Sequence, residues 1–594
     1  MNRSIQEEHA DLGVLFVDGI GQQRPGRTVA SFAAALYGWL FRWNCSKQLS
    51  PSSPELSETV LAPDLSVDAD PAHATLTTKL RMGNGERDVR WLLAESWWAD
   101  VFAPPRFLDL TRWVWKVSTC LLVLQFVIPM RRHWRAVKED AAGQRSPSWL
   151  LHLLVVAGYA ILMGVAAMLS VLLSGMLLVL AIAAKLPIPR IDRAVQWVVV
   201  KLSAVLGDSY VLAHCPVQYA AMRTQVAHDL AWLEARCDKV VVVAHSQGAA
   251  IAHQVLKDEA SSRQRLRAFI TLGQGISKLH LLRRMDWDPQ ASRAAFWTRL
   301  LVTVGLLCAG LPALGILLSR WINATILELP ASFPVSLVLI VAGFLAIVLG
   351  VVHAIRVVGD EIEHDLLLPG AGTQFLWIDY YASADPVSNG PLMAGSAAGS
   401  PVGAPWVQDH GRDPRPCDEV YNSGSILTDH NGYLRNQDQL LSKLINNLVA
   451  VTFGDPNGDA AGPRLVHDED LTEAKRRRHR LVTMLVGGRM LAATVGVVLW
   501  RFNPGRLLKD PMNSLVQLVA PHTGMGDRLA RFIAAAILMA LFYVVVVLVW
   551  RILERRSISH FFHTAKRGWQ PEQAPEPSMS RDHTTQTTAA MTVS

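Results

Sequence analysis

The chain has 594 residues, of which 51% are hydrophobic and only 18% are charged. Soluble globular proteins carry about 25% charged residues, so this composition favours a membrane protein. The formal net charge of +7 does not indicate a nucleic-acid-binding protein, because the basic residues cluster beside apolar runs, as they do at the flanks of membrane spans. The six cysteines are scattered without a CxxC pair, so neither a zinc site nor a disulfide framework is expected.

The N-terminal part of the chain predicts strands on either side of a helix. Its elements are, in order, a buried strand at 12–17, a glycine-containing turn at 18–22, a helix at 28–43 and two strands at 74–80 and 88–93. Glu95 and Trp97 follow the last of these strands, where they either line a site or pack against the fold.

Long apolar runs interrupt and follow these elements and predict about six membrane spans. The uncharged run from Trp149 to Ala184 would be roughly 54 Å long as one helix, whereas the hydrocarbon core of a bilayer is about 30 Å thick. It therefore predicts either a hairpin that turns between Ser170 and Gly175, which the basic residues before it favour, or one span that pairs with the shorter run at 117–130. The other predicted spans are Leu300–Ser319, Phe333–Ile355, Leu481–Trp500 and Ile533–Trp550. Arg489, inside the third of these, predicts either a functional charge or a paired one.

The stretch from Val240 to Ala250 carries the clearest sign of chemistry. Its valines predict a strand buried on both faces, residues 247–256 predict a helix, and Ser246 lies at the corner between them. Small residues two positions before and after the serine, Ala244 and Gly248, leave room for a tight corner that raises the serine oxygen near helix N-terminal amides. A buried strand followed by a helix-capping serine has the same short pattern, so the rest of the chain must distinguish the two.

A serine nucleophile requires a base, an acid that orients the base, and amides that stabilise the oxyanion. Asp385 follows a predicted strand at 374–381, and His430 lies on a later loop, which gives the order serine, acid, histidine. Asp385 could instead open a turn, and His430 could be a surface histidine. The rival candidates are Asp379 for the acid, and His410 and His364 for the base.

Two further residues near these motifs have other predicted roles. His245 is expected to pack or to form a hydrogen bond at the elbow rather than to act as the base, because adjacent positions of a strand face opposite ways. Residues 389–416 form a loop rich in small residues and proline, which we interpret as a lid.

Five segments, taken together, resemble the α/β-hydrolase superfamily and specifically its lipase/esterase-like members. They are Phe16–Gln22, Ala244–Gly248, Thr271–Gly273, Ser383–Val387 and Asp429–Tyr433. The resemblance implies an α/β fold with a mostly parallel hydrolase-type sheet, interrupted and followed by transmembrane helices. It implies Ser246 as the nucleophile, Asp385 as the acid and His430 as the base, with the backbone amides of Ile20 and Gln247 as the oxyanion hole.

Asp18 is the departure from the family pattern, which usually has histidine at this position. A carboxylate close to the oxyanion would repel it and would raise the free energy of the oxyanion by about 1–4 kcal/mol at an effective dielectric near 20. Asp18 could instead point away from the serine and accept hydrogen bonds from loop amides. The sequence leaves both arrangements open.

The chain therefore divides into seven predicted parts. They are the N-terminal part of the hydrolase domain (1–112), a membrane insertion (113–186), the hydrolase part with the elbow (187–299), a transmembrane hairpin (300–356), the hydrolase part with the acid and histidine loops (357–480), a C-terminal transmembrane hairpin (481–556) and a polar tail expected to be disordered (557–594).

The expected function is hydrolysis of a carboxylic ester of a lipid or another amphipathic molecule, with no cofactor and no metal. The expected location is an inner or plasma membrane, with both termini and the catalytic domain in the cytoplasm, where the basic flanks belong. Two alternatives remain open: a catalytically impaired membrane scaffold or sensor with the hydrolase fold, and an acyltransferase that uses the same triad. No nucleic-acid partner is expected.

Overall fold

The computed structural model describes residues 9–19, 24–46, 60–61, 65–66, 70–82, 85–98, 105–141, 149–183, 208–259, 262–322, 333–359, 368, 374–382, 384–388, 417–425, 428–454, 464–502 and 527–565. The strands are β1 (Leu12–Val17), β2 (Val60–Leu61), β3 (Leu65–Ser66), β4 (His73–Met82), β5 (Gly85–Glu95), β6 (Val240–His245), β7 (Leu266–Leu272), β8 (Leu376–Ala382) and β9 (Cys417–Val420). The helices are α1 (Arg27–Ser46), α2 (Phe107–Ala141), α3 (Trp149–Ala183), α4 (Asp208–His214), α5 (Pro216–Glu234), α6 (Gly248–Glu259), α7 (Ile276–Trp287), α8 (Pro289–Ile322), α9 (Phe333–Gly359), α10 (Ser442–Phe453), α11 (Asp468–Phe502) and α12 (Asp527–Thr564).

The described strands form one nine-stranded sheet in the order β2-β4-β5-β1-β6-β7-β8-β9, with β3 also paired to β4. Every neighbouring pair from β5 to β9 is parallel, whereas β4 forms an antiparallel hairpin with β5. The predicted mixed α/β class with a mostly parallel sheet is therefore confirmed. Because the strands that precede Asp18, Ser246, Gly273 and Asp385 are parallel neighbours, these residues meet at one edge of the sheet.

The valine run of β6 is buried because both faces of the central sheet are covered. Val240 and Val242 pack in one hydrophobic cluster together with residues of α5, α6 and α7. Val241 and Val243 pack in a second cluster together with residues of α1 and α10. Alternate side chains of a strand point to opposite faces, so a strand covered on both sides needs apolar residues at every position.

Among the described residues, four helices are long and apolar enough to cross a membrane, judged by length and composition, and they contain the segments His152–Ala183, Pro289–Gly310, Leu337–Ile355 and Ala536–Thr564. The first lies in α3, which continues without interruption through Ser170 and Gly175, so the hairpin predicted there is wrong. The Ser170 hydroxyl donates to the Ala167 carbonyl at 2.6 Å, and that of Ser174 donates to the Ser170 carbonyl at 2.7 Å. These small polar residues are thus satisfied within the helix and do not end it.

The long helices pack in three antiparallel pairs. Thr119 and Ser170 are joined by a hydrogen bond of 2.8 Å between α2 and α3, so α3 pairs with the helix that contains the shorter run at 117–130. In the second pair, a Cβ on Gly305 of α8 would lie 2.6 Å from the Gly343 carbonyl of α9. In the third, a Cβ on Gly488 of α11 would lie 2.8 Å from a Val546 methyl of α12. Glycines thus allow the backbones of the second and third pairs to approach closely, as in membrane helix packing.

Candidate active site

Ser246 occupies a strained corner between β6 and α6. Its φ is +59°, and it is the one non-glycine residue with positive φ in the described part of the chain. Its backbone amide donates to the Leu272 carbonyl at 3.1 Å, and its carbonyl accepts from the Gly275 amide at 2.8 Å. A left-handed backbone at serine costs free energy and persists only where the surroundings enforce it. Here the end of β7 supplies those contacts.

Two glycines let the corner sit directly against the end of β1. A Cβ on Gly248 would lie 2.4 Å from both the Val17 and the Asp18 carbonyl oxygens. A Cβ on Gly19 would lie 2.4 Å from the Ser246 Cβ, 2.7 Å from its Oγ and 3.3 Å from the Gln247 amide nitrogen. The absence of a side chain at Gly19 therefore keeps open the space beside the serine oxygen and this amide.

Gly248→Ala is expected to lower the free energy of unfolding by about 1–3 kcal/mol, because the new methyl group must displace backbone atoms of β1. Gly38→Ala is the matched control. Gly38 lies within α1, where a Cβ would meet nothing within 4 Å, and alanine there should stabilise by about 0.5–1 kcal/mol. Thermal unfolding in detergent would test the pair. Equal shifts in the two variants would contradict the close approach of Gly248 to β1.

The structure brings Ser246, His430 and Asp385 into one hydrogen-bonded line. The Ser246 Oγ lies 2.7 Å from His430 Nε2. His430 Nδ1 lies 3.0 Å and 3.1 Å from the two carboxylate oxygens of Asp385. This is the contact geometry that a nucleophile, its base and an orienting acid require. The catalytic roles of the three residues stay predictions.

Asp385 is held as a carboxylate by several donors. Its oxygens accept from the Tyr433 hydroxyl at 2.7 Å and from the Val387 amide at 2.7 Å, besides His430. Burial alone would raise its pKa, but the hydrogen bonds and the charge of His430 outweigh burial, so the pKa of Asp385 is lowered. Gly273, with φ of +55°, leaves room for this carboxylate, since a Cβ there would lie 2.4 Å from Asp385 Oδ2.

The surroundings of His430 lower its pKa, which favours the neutral ring that a general base requires. Burial lowers the pKa of His430, and the charge of the neighbouring His245 adds to this effect. The hydrogen bond to Asp385 favours the protonated ring but offsets only part of the shift. The imidazole can therefore accept the serine proton.

The Asp18 carboxylate accepts a hydrogen bond from a loop amide, as in the second of the two arrangements that the sequence left open. Its Oδ1 accepts from the Gly19 amide at 2.7 Å and from His245 Nδ1 at 2.7 Å. The carboxylate thus lies between a loop amide and a histidine. His245 Nε2 lies 3.0 Å from the His430 carbonyl, so His245 contacts the loop of the proposed base rather than the serine oxygen.

The rival candidates and several other predicted residues lie elsewhere. Asp379 accepts a hydrogen bond of 2.6 Å from the Thr271 hydroxyl within the sheet. The predicted tail at 557–594 begins too early, because residues 557–564 are the last turns of α12 and the side chains of Phe561 and Phe562 are buried. The remaining predictions fall outside the described residues: Ile20 of the oxyanion hole, the rival bases His410 and His364, the lid at 389–416 and the rest of the tail, from 566 onward. The Gln247 side chain donates to the Ser209 hydroxyl of α4.

Two residues noted in the sequence support the loops around the site. Glu95 is buried and accepts hydrogen bonds from the Gly26 and Val29 amides, which caps the N-terminus of α1. Arg489 of α11 donates to the Ser423 carbonyl at 2.9 Å and to the Gly424 carbonyl at 3.2 Å, so it is paired with backbone. The same segment donates from the amide and hydroxyl of Ser423 to Asp429, the residue before His430. Arg489 therefore anchors the segment that leads to His430.

Tyr433 is the site residue that sequence reasoning missed. Its hydroxyl donates to Asp385 and accepts from the Ala382 amide at 2.9 Å, which ties the acid to the end of β8. Tyr433 belongs to a segment already singled out, Asp429–Tyr433, but nothing in the local pattern shows that its side chain reaches a residue on a distant strand.

Within the described residues, no group of three or more histidine, cysteine, aspartate or glutamate side chains could hold a metal ion. Comparisons of the chain with protein-family models, with curated proteins and with solved structures found no match. The fold and the site geometry alone thus describe a mixed α/β protein with a mostly parallel sheet. Its described part contains four apolar helices long enough to span a membrane, and a serine, a histidine and an aspartate in hydrogen-bonded line.

Proposed function

We propose that this protein is a membrane-embedded serine hydrolase of the α/β-hydrolase type, which cleaves a carboxylic ester. The observation that carries the proposal is the line from Ser246 Oγ to His430 Nε2 at 2.7 Å and from His430 Nδ1 to Asp385 at 3.0 Å. The positive φ of Ser246 supports it, because a hydrolase elbow presents its nucleophile on a strained turn between a strand and a helix. The placement of all three residues beyond the carboxyl ends of parallel strands supports it as well.

In the proposed reaction, the Ser246 Oγ attacks the ester carbonyl carbon while His430 Nε2 accepts the hydroxyl proton. The bond to the leaving alkoxide then breaks, and His430 returns the proton to it, which leaves an acyl group on the serine. Water hydrolyses this acyl-enzyme with His430 as the base again. Asp385 stabilises the imidazolium that forms in both halves, and the amides of Gln247 and Ile20 are the proposed donors to the oxyanion.

Contacts between the catalytic domain and the long helices favour a lipid or other amphipathic ester. Lys278, on the first turn of α7 after the contact between Gly275 and Ser246, donates to Gln125 of α2 at 3.1 Å. Lys116 of α2 also pairs with Asp286 of α7 at 3.1 Å. These bonds attach the helix beside the site to the first pair of long helices. A substrate that partitions into the bilayer would reach such a site with little loss of contact with lipid.

We propose six spans, formed by the three antiparallel pairs α2–α3, α8–α9 and α11–α12. Each pair crosses twice and returns the chain to the side on which it started, so all segments of the hydrolase domain lie on one face. The basic run Lys475–Arg480 at the start of the third pair supports a cytoplasmic location for that face, in an inner or plasma membrane with both termini on the same side. In this arrangement Arg131, Arg132, Arg135 and Lys138, toward the end of α2, lie on the opposite face and do not contribute to that assignment.

Labelling with a fluorophosphonate probe tests the proposal. The purified full chain in detergent is expected to form one covalent adduct through Ser246, and Ser246→Ala is expected to abolish it. Ser277→Ala, on the first turn of α7, is the matched control and should label like the wild type. Failure of the wild type to label, or equal labelling of Ser246→Ala, would favour the impaired scaffold or sensor. Transfer of an acyl group to an added alcohol in preference to water would favour the acyltransferase.

A further inference from the structure

Asp18 and His245 form a second acid–histidine pair directly beside the proposed base. Asp18 Oδ1 lies 2.7 Å from His245 Nδ1, and His245 Nε2 lies 3.0 Å from the backbone carbonyl of His430. The rings of His245 and His430 are stacked, with centroids 4.6 Å apart and planes at 24°. The reaction described above uses neither Asp18 nor His245.

The contacts of His245 favour its doubly protonated form. Both of its ring nitrogens face oxygen atoms that only accept hydrogen bonds, a carboxylate oxygen at Nδ1 and a carbonyl oxygen at Nε2. A neutral imidazole donates from one nitrogen only, so satisfying both contacts requires the doubly protonated ring. Burial disfavours the charged form, but the hydrogen bond to Asp18 and its negative charge outweigh burial and raise the pKa of His245.

We propose that His245, as an imidazolium paired with Asp18, is a positioning residue that holds His430 within reach of Ser246. The inference rests on the proposed function. The imidazolium donates to the backbone carbonyl of His430, and its ring face supports the ring of His430. Deprotonation of His245 removes one of its two ring N–H donors. Either the His430 carbonyl or the Asp18 carboxylate then loses its hydrogen bond to His245.

The charges around the pair set the direction of the pH dependence. Asp18, at the end of β1, and Asp385, beyond β8, both favour protonated His245. The rings of Tyr433 and His245 meet in a T-shaped arrangement with centroids 5.7 Å apart, and burial and, to a smaller extent, the negative charge of Asp18 raise the pKa of Glu95, at the end of β5. The charge of His245 in turn disfavours protonation of His430. His430 is therefore expected to lose its proton first as the pH rises, and His245 later.

The second-order rate of fluorophosphonate labelling, measured from about pH 5 to 9.5, tests the proposal. The wild-type rate should rise with pH below 6.5, as His430 becomes neutral, and fall again above 6.5, as His245 loses its proton. His245→Gln replaces the titrating ring with an uncharged amide. It should abolish the alkaline fall, move the acid limb to higher pH and lower the maximal rate by about 10- to 100-fold. Asp18→Asn keeps the ring but removes its counter-charge, so the alkaline fall should move to lower pH.

An alkaline fall at the same pH in all three proteins, or a wild-type rate that stays flat to about pH 9.5, would overturn the proposal.

Absence of labelling in the wild type at any pH would instead count against the proposed hydrolase. Thermal unfolding then tests the Asp18–His245 pair independently of catalysis. Because folding raises the pKa of His245, its contribution to stability is fully present below about pH 6.5 and is lost as the pH rises through the folded-state pKa. The wild type should therefore exceed His245→Gln in unfolding temperature at low pH, and the difference should shrink as the pH rises. A difference independent of pH would show that His245 is not an ionised partner of Asp18.

Discussion

His430→Ala is expected to lower the rate of Ser246-dependent ester hydrolysis by about 10⁴- to 10⁶-fold. The serine hydroxyl is a weak nucleophile unless a base removes its proton during attack, and His430 Nε2, the proposed base, lies within hydrogen-bond distance of it, at 2.7 Å. The same ring must later protonate the leaving alkoxide, so both halves of the reaction lose their proton carrier. The measurement is kcat/KM for p-nitrophenyl butyrate with the full chain in detergent, after subtraction of the rate of Ser246→Ala.

The matched control for this experiment is His467→Ala. His467 is exposed and lies just before α11, so its loss should leave the rate within about twofold of the wild type. Thermal unfolding of His430→Ala should remain a cooperative transition with a measurable midpoint. This result distinguishes loss of the base from loss of the fold. A decrease of less than about tenfold in a folded His430→Ala protein would exclude His430 as the base.

Asp385→Asn is expected to lower kcat by about 10⁴-fold at neutral pH. The Asp385 carboxylate only accepts, so it fixes the proton on Nδ1 of His430 and leaves Nε2 free to accept from the serine. An asparagine amide can donate to Nδ1 and then favours the tautomer with its proton on Nε2, which cannot act as a base toward Ser246. The amide also lacks the negative charge that stabilises the imidazolium.

Asp379→Asn distinguishes this role from simple loss of a buried carboxylate. Asp379 is buried, like Asp385, but it accepts from the Thr271 hydroxyl inside the sheet. Its substitution should cost about 1–3 kcal/mol of stability and change kcat by less than about tenfold. If Asp379→Asn reduced kcat more than Asp385→Asn did, the acid would be misassigned and Asp379 would take its place.

Much of this architecture is encoded locally. The valine run of β6 predicts a strand with two covered faces, and Val240 to Val243 are indeed almost fully buried. The family resemblance, together with the order of Ser246, Asp385 and His430 along the chain, selected the three side chains that the structure places in contact. Their segments follow strands that are parallel neighbours, so proximity at one edge of the sheet follows once the strand order is given.

The predicted hairpin in Trp149–Ala184 shows the limit of local information. Length and hydropathy describe the run equally well as one long helix or as two short ones, because both bury the same apolar residues in lipid. Whether the run forms one helix or a hairpin depends on whether another helix packs against it. The hydrogen bond between Thr119 and Ser170 joins α2 to α3. This contact links two segments that are separate in the chain, so local sequence does not reveal it.

Sequence by itself determined the class of fold, the apolar character of the long helices and the identity of the candidate nucleophile, acid and base. These follow from strand burial, helix hydropathy and motif order, respectively, which are properties of short segments. Only the tertiary structure decided which groups Asp18 and His245 contact and how Tyr433 supports Asp385. Each of these depends on contacts between residues far apart in the chain: Asp18 with His245, His245 with the carbonyl of His430, and Tyr433 with Asp385. The direction of a charged side chain is set by the partner that compensates its burial, and that partner is brought near only by the packing of the whole sheet.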